Sequence, residues 1–361
     1  MLWHGGYRSA AQLAFVAVAV AGLVAIRPRS VPIRSPLWLG LAAAAAANLA
    51  SLVFHHDSSS VAPALASVAV PVIVATAATE RAALRVRMPV IVLALGIAIA
   101  TAGLAGLALH IGPLAERIDG VWRAGGTFEY PPALGVVCVC ALAYALALHA
   151  TGTLDRTTTL VAAGVLVAGA AATFDRVTWI ETVAVAALFA AREPATRRTV
   201  GLLAAVAGVG AVAALAISHP SQAALERHLR HGPLSSRRAA WSHAWHAAGR
   251  RPLLGYGPGR YLASYTGSAS GAAPVAQAHN AVLEESVEAG LIAGLGTAAA
   301  LMAMLVTGVA ATAVRGDPLR AAHGVTATVV ALSGLYDFTW SFAPLLLLGA
   351  LAAVAAGARD P

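Results

Sequence analysis

The chain has 361 residues, 59% hydrophobic and only 11% charged, a composition that excludes an ordinary soluble domain and fits a polytopic membrane protein. It contains no lysine, so the formal charge of +8 rests on 24 Arg against 16 acids. Arginine grips phosphate bidentately where lysine offers a point charge, and seven of the Arg fall within one polar segment, Ser218 to Ala278.

Apolar runs near the roughly 20 residues that a bilayer requires begin with Ala10 to Ile26, Leu37 to Phe54, Val61 to Ala78, Pro89 to Leu109 and Pro132 to Ala150. They continue with Thr157 to Phe174, Val177 to Ala191, Thr199 to Ile217, Leu291 to Val314, Leu319 to Leu335 and Ala343 to Ala358. The first run ends in Arg27, Arg29 and Arg34 rather than at a small-residue cleavage site, so it reads as a span and not as a removable signal. The pattern predicts an all-α polytopic bundle of about 11–12 transmembrane helices, a single domain over residues 1–361. Ala and Gly dominate the runs, which favours close helix packing. Cys138 and Cys140 stand two apart in one run and point to different faces, so they read as inert core residues.

If every run crosses, Arg27, Arg29, Arg34, Arg81, Arg85, Arg87, Arg156, Arg192, Arg197, Arg198, Arg315 and Arg320 share one side, which the positive-inside rule assigns to the cytoplasm. Three connections then face outward. The first, His110 to Pro131, carries Arg117, Arg123 and a Gly125-Gly126 turn. The second is only Phe174-Asp175-Arg176, which sets Arg176 at the membrane edge, where it must snorkel, bind an anion, or pair with Asp175 or Glu181. The third, Ser218 to Ala278, is too long to be a mere connector. It reads as two short helices, one capped by Ser221 and one by Ser235 or Ser236, followed by the GYGPG turn at Gly255 to Gly259 and a small polar stretch. Trp241 and Trp245, at i and i+4, suit a lipid interface, and His243 and His246 fall to its wet side. His55-His56-Asp57 reads as a solvated loop.

After that loop, HNAVLEESVEAGLIAGLG turns at His279-Asn280 into a helix, with Asn280 as cap and Glu284, Glu285 and Glu288 in early turns that suit the dipole. Asn280, Glu284 and Glu288 share one face, and Gly290 and Gly294 form a small-xxx-small notch. A His at a helix start beside external Arg suggests phosphate recognition next to a proton acceptor. No Walker loop, HExxH, GxSxG or paired CxxC occurs, which argues against an ATPase, a metalloprotease and an ordinary serine hydrolase.

The run from Ser236 to Gly296 resembles the signature region of the O-antigen ligase and polymerase superfamily: Arg237 four residues before Trp241, then RPLLGYGPGRY, a spacer, and HNAVLEESVEAGLIAGLG. GGTFEYPPALG (Gly125 to Gly135), Phe174-Asp175-Arg176 and Tyr336-Asp337-Phe338 with Pro344 are similar to further family segments, although Tyr130-Pro131-Pro132 and Asp175 depart from the usual residues. The resemblance implies a GT-C-like integral-membrane glycosyltransferase that needs neither metal nor cofactor and takes a polyprenyl-diphosphate-linked glycan on the outer face of the cytoplasmic membrane. The acceptor would be a glycan, lipid, wall component or protein, and nucleic acid is not expected as a partner. On this reading His279 is catalytic and Arg176 and Arg237 hold the diphosphate. Arg123, Arg238, Asn280, Glu284, Trp241, Gly255 and Gly257 support or bind substrate. The contrasting expectation is a glycolipid or polysaccharide transporter, which would show internal repeats and mid-membrane polar groups that the sequence lacks.

Overall fold

A computed structural model describes residues 12–17, 20–21, 35–118, 120–218, 237–266 and 274–357. Most of the Ala10 to Ile26 run and the helix expected after Ser221 lie outside the described residues. The described part is almost entirely helical. Its helices are α1 (Pro36–His55), α2 (Val61–Ala77), α3 (Arg81–Leu109), α4 (Pro131–Ala150), α5 (Arg156–Ala172) and α6 (Arg176–Arg192). They continue with α7 (Arg197–Ser218), α8 (Arg237–Arg250), α9 (Ala281–Ala289), α10 (Leu291–Ala313), α11 (Pro318–Tyr336) and α12 (Ala343–Ala356). Side-chain caps set many of the starts: Ser35, Asp155, Asp175, Asn280 and Asp317 each accept from the backbone N–H three residues on, which satisfies donors that have no partner within the helix.

Among the described residues, four helical stretches are long and apolar enough to cross a bilayer: Pro36–His55, Ser58–Leu109, Pro131–Ala150 and Leu291–Ala313. The second, at 52 residues, joins α2 and α3 through a short 3₁₀ turn at Ala78–Glu80. Helices α5 and α12 are apolar but shorter. The bundle closes on small residues. A Cβ on Gly40 of α1 would lie 2.6 Å from the carbonyl of Gly296 on α10, and one on Gly324 of α11 would lie 2.5 Å from the carbonyl of Gly308, so backbones meet where larger side chains would hold them apart. Helix α4 is buried along nearly its whole length, and both cysteines lie within it, free and buried.

The two ends of the bundle differ in chemistry. At one, Arg85 pairs with Asp317 and Arg192 donates to the carbonyl of Val314, which gathers several of the basic connections together. From there α11, about 28 Å long at 1.5 Å per residue, carries the chain to Tyr336 and Asp337 at the other.

Two expectations change in the structure. The fold is not purely α-helical, because the connection after α3 holds a hairpin, β1 (Ala115–Ile118) antiparallel to β2 (Val121–Ala124), with His110 stacked on Trp122 at 4.7 Å. The Asp119-Gly120 pair between alternating residues is a strong short-range hairpin signal. The HN segment, in turn, does not run straight into a membrane helix. Gly290 adopts φ +89 and separates α9 from α10, so Gly290 sits at a break and forms no notch with Gly294. The carbonyl of Pro252 accepts from Leu291 N at 2.7 Å across that break, and a Cβ on Gly290 would collide with Leu253.

Candidate functional site

Helices α4, α6 and α9 each start from an extended residue, Tyr130, Asp175 and Asn280. Each of these follows a non-glycine residue in the left-handed region, Glu129 (φ 58), Phe174 (φ 52) and His279 (φ 53). That conformation costs roughly 1–2 kcal/mol per residue and persists where the surroundings over-determine it. Around His279 they do. Trp241 Nε1 donates to the His279 carbonyl at 3.3 Å, Ala278 N donates to Glu284 at 3.0 Å, and the Asn280 amide donates to the carbonyl of Leu335 at 2.8 Å while its oxygen caps Leu283 N.

Two of these starts, at Tyr130 and His279, reach Asp337, just past the end of α11. Its side chain is 2% exposed. Oδ1 accepts from the Tyr130 hydroxyl at 2.6 Å, from Phe338 N at 2.7 Å and from His279 Nδ1 at 3.2 Å, while Oδ2 accepts from Arg237 Nη2 at 2.9 Å. A buried carboxylate is tolerated when it is paired and fully hydrogen-bonded. Burial, with Asp337 nearby, holds the pKa of Tyr130 well above its ordinary value, so the hydroxyl keeps its proton and donates. With the Nδ1 proton of His279 directed at Asp337, Nε2 is left as the acceptor of the ring. Aromatic rings enclose the group: Phe338 meets Tyr130 at 4.2 Å and His279 edge-on at 5.3 Å.

The sequence candidates divide around this centre. Arg237 belongs to it, with its guanidinium also 5.8 Å from the Tyr336 ring, whereas Arg238 is exposed. Arg176 opens α6 next to Asp175, whose carboxylate caps the helix through Thr178. Glu181 accepts from the Tyr336 hydroxyl at 3.0 Å. Arg123 stands on β2 opposite Glu116. Gly255 and Gly257 have φ of 59 and 108 and hold the loop against the C-terminus of α9, where Tyr256 N and Gly257 N donate to the carbonyls of Val287 and Glu288. A Cβ on Gly255 would come within 2.4 Å of both carbonyls, so that glycine is required by backbone contact.

Two further readings are corrected. His243 is not on the wet side of its helix: it is buried, 2.8 Å from Ser264 Oγ and stacked on Tyr265 at 3.6 Å, and burial lowers its pKa. Its position one residue from the exposed face was masked by a helix whose apolar side consists of alanines. His55-His56-Asp57 is not an isolated solvated loop either, since Asp57 pairs with Arg260 and His55 Nε2 lies 3.1 Å from the carbonyl of Gly255. Sequence reasoning gave Tyr130 no part in the centre and Asp337 no role beyond a turn. The available signal was that both segments, 207 residues apart, fall among the connections expected on the same side of the membrane.

Residues 150–298 match the family model for O-antigen ligase. Over this segment, somewhat under half of its length, the chain is similar to the O-antigen ligase family. No curated protein matches the chain. The matched stretch contains Arg176, Arg237, Trp241, the GYGPG turn and His279, while Tyr130 and Asp337 come from the flanks on either side.

Proposed function

We propose that the protein is a metal-independent glycosyltransferase of the GT-C type that transfers or polymerises a glycan from a polyprenyl-diphosphate donor on the outer face of the cytoplasmic membrane. The single observation that carries this reading is the buried Asp337, which holds a histidine through one oxygen and an arginine through the other. An oriented His supplies a base, and an arginine keeps further donors of its planar fork when one is engaged. His279 Nε2 takes the proton of the acceptor hydroxyl as its oxygen bonds to the anomeric carbon. The bond from that carbon to the diphosphate breaks, and the leaving diphosphate carries the negative charge toward Arg237 and Arg176.

The gathering of Arg85, Arg192 and their partners at the opposite end of the bundle supports an outward-facing centre, because basic connections favour the cytoplasm. The chain then forms a single membrane domain of about 11–12 spans, with the 218–278 loop packed on it outside. The test is transfer by purified protein given a polyprenyl-diphosphate oligosaccharide and an acceptor, with and without a chelator. Donor consumed with release of the lipid diphosphate, at equal rates in both conditions, is the expected result. Movement of the donor across a bilayer without consumption would overturn the reading in favour of a transporter.

A further inference from the structure

A cavity of about 390 Å³ lies beside this centre, between α1, α2, α9 and α12, within the size range of small-molecule sites. Phe338 separates the two, lining the cavity and packing against the His279 ring. Three carboxylates of one helix, Glu284, Glu285 and Glu288, border it. Among the described residues their hydrogen-bond partners are all neutral: Ser341 Oγ and Ala278 N on Glu284, Asn48 Nδ2 on Glu285, and Gly259 N and Tyr261 N on Glu288. No basic side chain is among the described residues that line the cavity, and among the described residues no His, Cys, Asp and Glu are grouped to hold a metal.

An independent observation points to a ligand. Gln12 also lines the cavity, is 8% exposed, and its Oε1 has no hydrogen-bond partner among the described residues. A buried acceptor without a donor is unfavourable until something supplies one. Acceptors therefore dominate on one side, and Phe338 and Trp340 supply aromatic surface, which suits the apolar faces of a sugar ring.

We propose that this cavity is the acceptor subsite and that it takes a sugar residue that donates hydrogen bonds and carries no negative charge, a free amine being preferred. The inference rests on the glycosyltransferase reading above and adds to it the class of acceptor. An ammonium group supplies the positive charge that the three glutamates lack, hydroxyls supply donors to Gln12, and a carboxylate on the sugar meets further acceptors with no basic side chain among the described lining residues to pair it.

The experiment is binding of the methyl glycosides of glucosamine, glucose and glucuronic acid to the full-length protein in lipid nanodiscs, followed by ligand-observed magnetic resonance. The expected order of affinity is glucosaminide, then glucoside, with the glucuronide weakest. Glu285→Gln should lower glucosaminide affinity about tenfold, as expected for one charge-assisted hydrogen bond, and change the glucoside little. Gln12→Leu should weaken both sugars while raising the melting temperature, which separates a ligand role from a merely structural one. Glucuronide binding as tight as glucosaminide, no saturable binding by any of the three, or indifference to both substitutions would overturn the subsite. Transfer measured in parallel keeps the two claims apart: transfer without this discrimination sinks only the subsite, and discrimination without transfer sinks the glycosyltransferase.

Discussion

Asp337 and the glutamates of α9, Glu284 buried and Glu285 and Glu288 half-buried, are neighbouring acids with opposite surroundings. Asp337 is met by an arginine, a histidine, a tyrosine hydroxyl and a backbone N–H. Glu284, Glu285 and Glu288 are met by neutral groups only. Burial accordingly pushes the Glu284 carboxyl up to about 7, with Glu285 and Asp337 adding to the rise, and drives Glu288 upward as well, helped by Glu284 and Glu285. The difference teaches how to tell an acid that positions other side chains from acids that await a ligand. A carboxylate whose charge is already balanced within the protein is a scaffold, whereas one satisfied only by dipoles retains attraction for a cation or a donor.

The comparison breaks most severely at Asp337. Asp337→Asn should leave Arg237 buried without its counter-charge, a loss of about 3–5 kcal/mol in stability for a buried pair, and should lower transfer by several orders of magnitude because His279 loses its orientation. Thermal unfolding alongside transfer rate checks both, and a variant with wild-type stability would remove the hub role. His279→Asn comes next. Asparagine tolerates the left-handed backbone at that position, so the protein should fold and bind donor lipid yet transfer roughly 10²- to 10⁴-fold more slowly, as on loss of a general base. A loss confined to donor binding would instead move His279 into the diphosphate site.

Smaller effects sharpen the same contrast. Arg237→Lys keeps charge but loses the fork that spans Asp337 and a phosphate, so donor affinity should fall about tenfold, while the same change at exposed Arg238 should be mild. Equal tolerance at both would cancel the diphosphate role of Arg237. Least severe is Tyr130→Phe, which removes one of four donors to Asp337 and should cost about 1 kcal/mol in stability, read as a shift in melting temperature with transfer reduced only several-fold.

Much of this was legible in residues taken alone. Asn280 as a cap and the GYGPG turn follow from local rules that operate within a few residues, whereas the Arg237–Trp241 spacing stood out only through the family resemblance. The hairpin at Asp119-Gly120 obeys such a rule too and was hidden by the surrounding arginines. His243 was misread for another reason: alanines on one side of α8 give little amphipathic contrast, so burial against Tyr265 had no trace in the pattern.

The sequence by itself determined the helical bundle, the places where helices begin and the concentration of polar chemistry in a few connections, because hydrophobic runs, caps and breakers act along the chain. Only the tertiary structure decided that Tyr130, Arg237, His279 and Asp337 meet at one carboxylate, that Gly290 ends α9, and that a cavity lies behind Phe338. Those facts depend on which helices approach one another, and in a chain of Ala- and Gly-rich helices that choice is made by backbone contacts such as Gly40 against Gly296, for which many registers look equally suitable until the whole bundle is assembled.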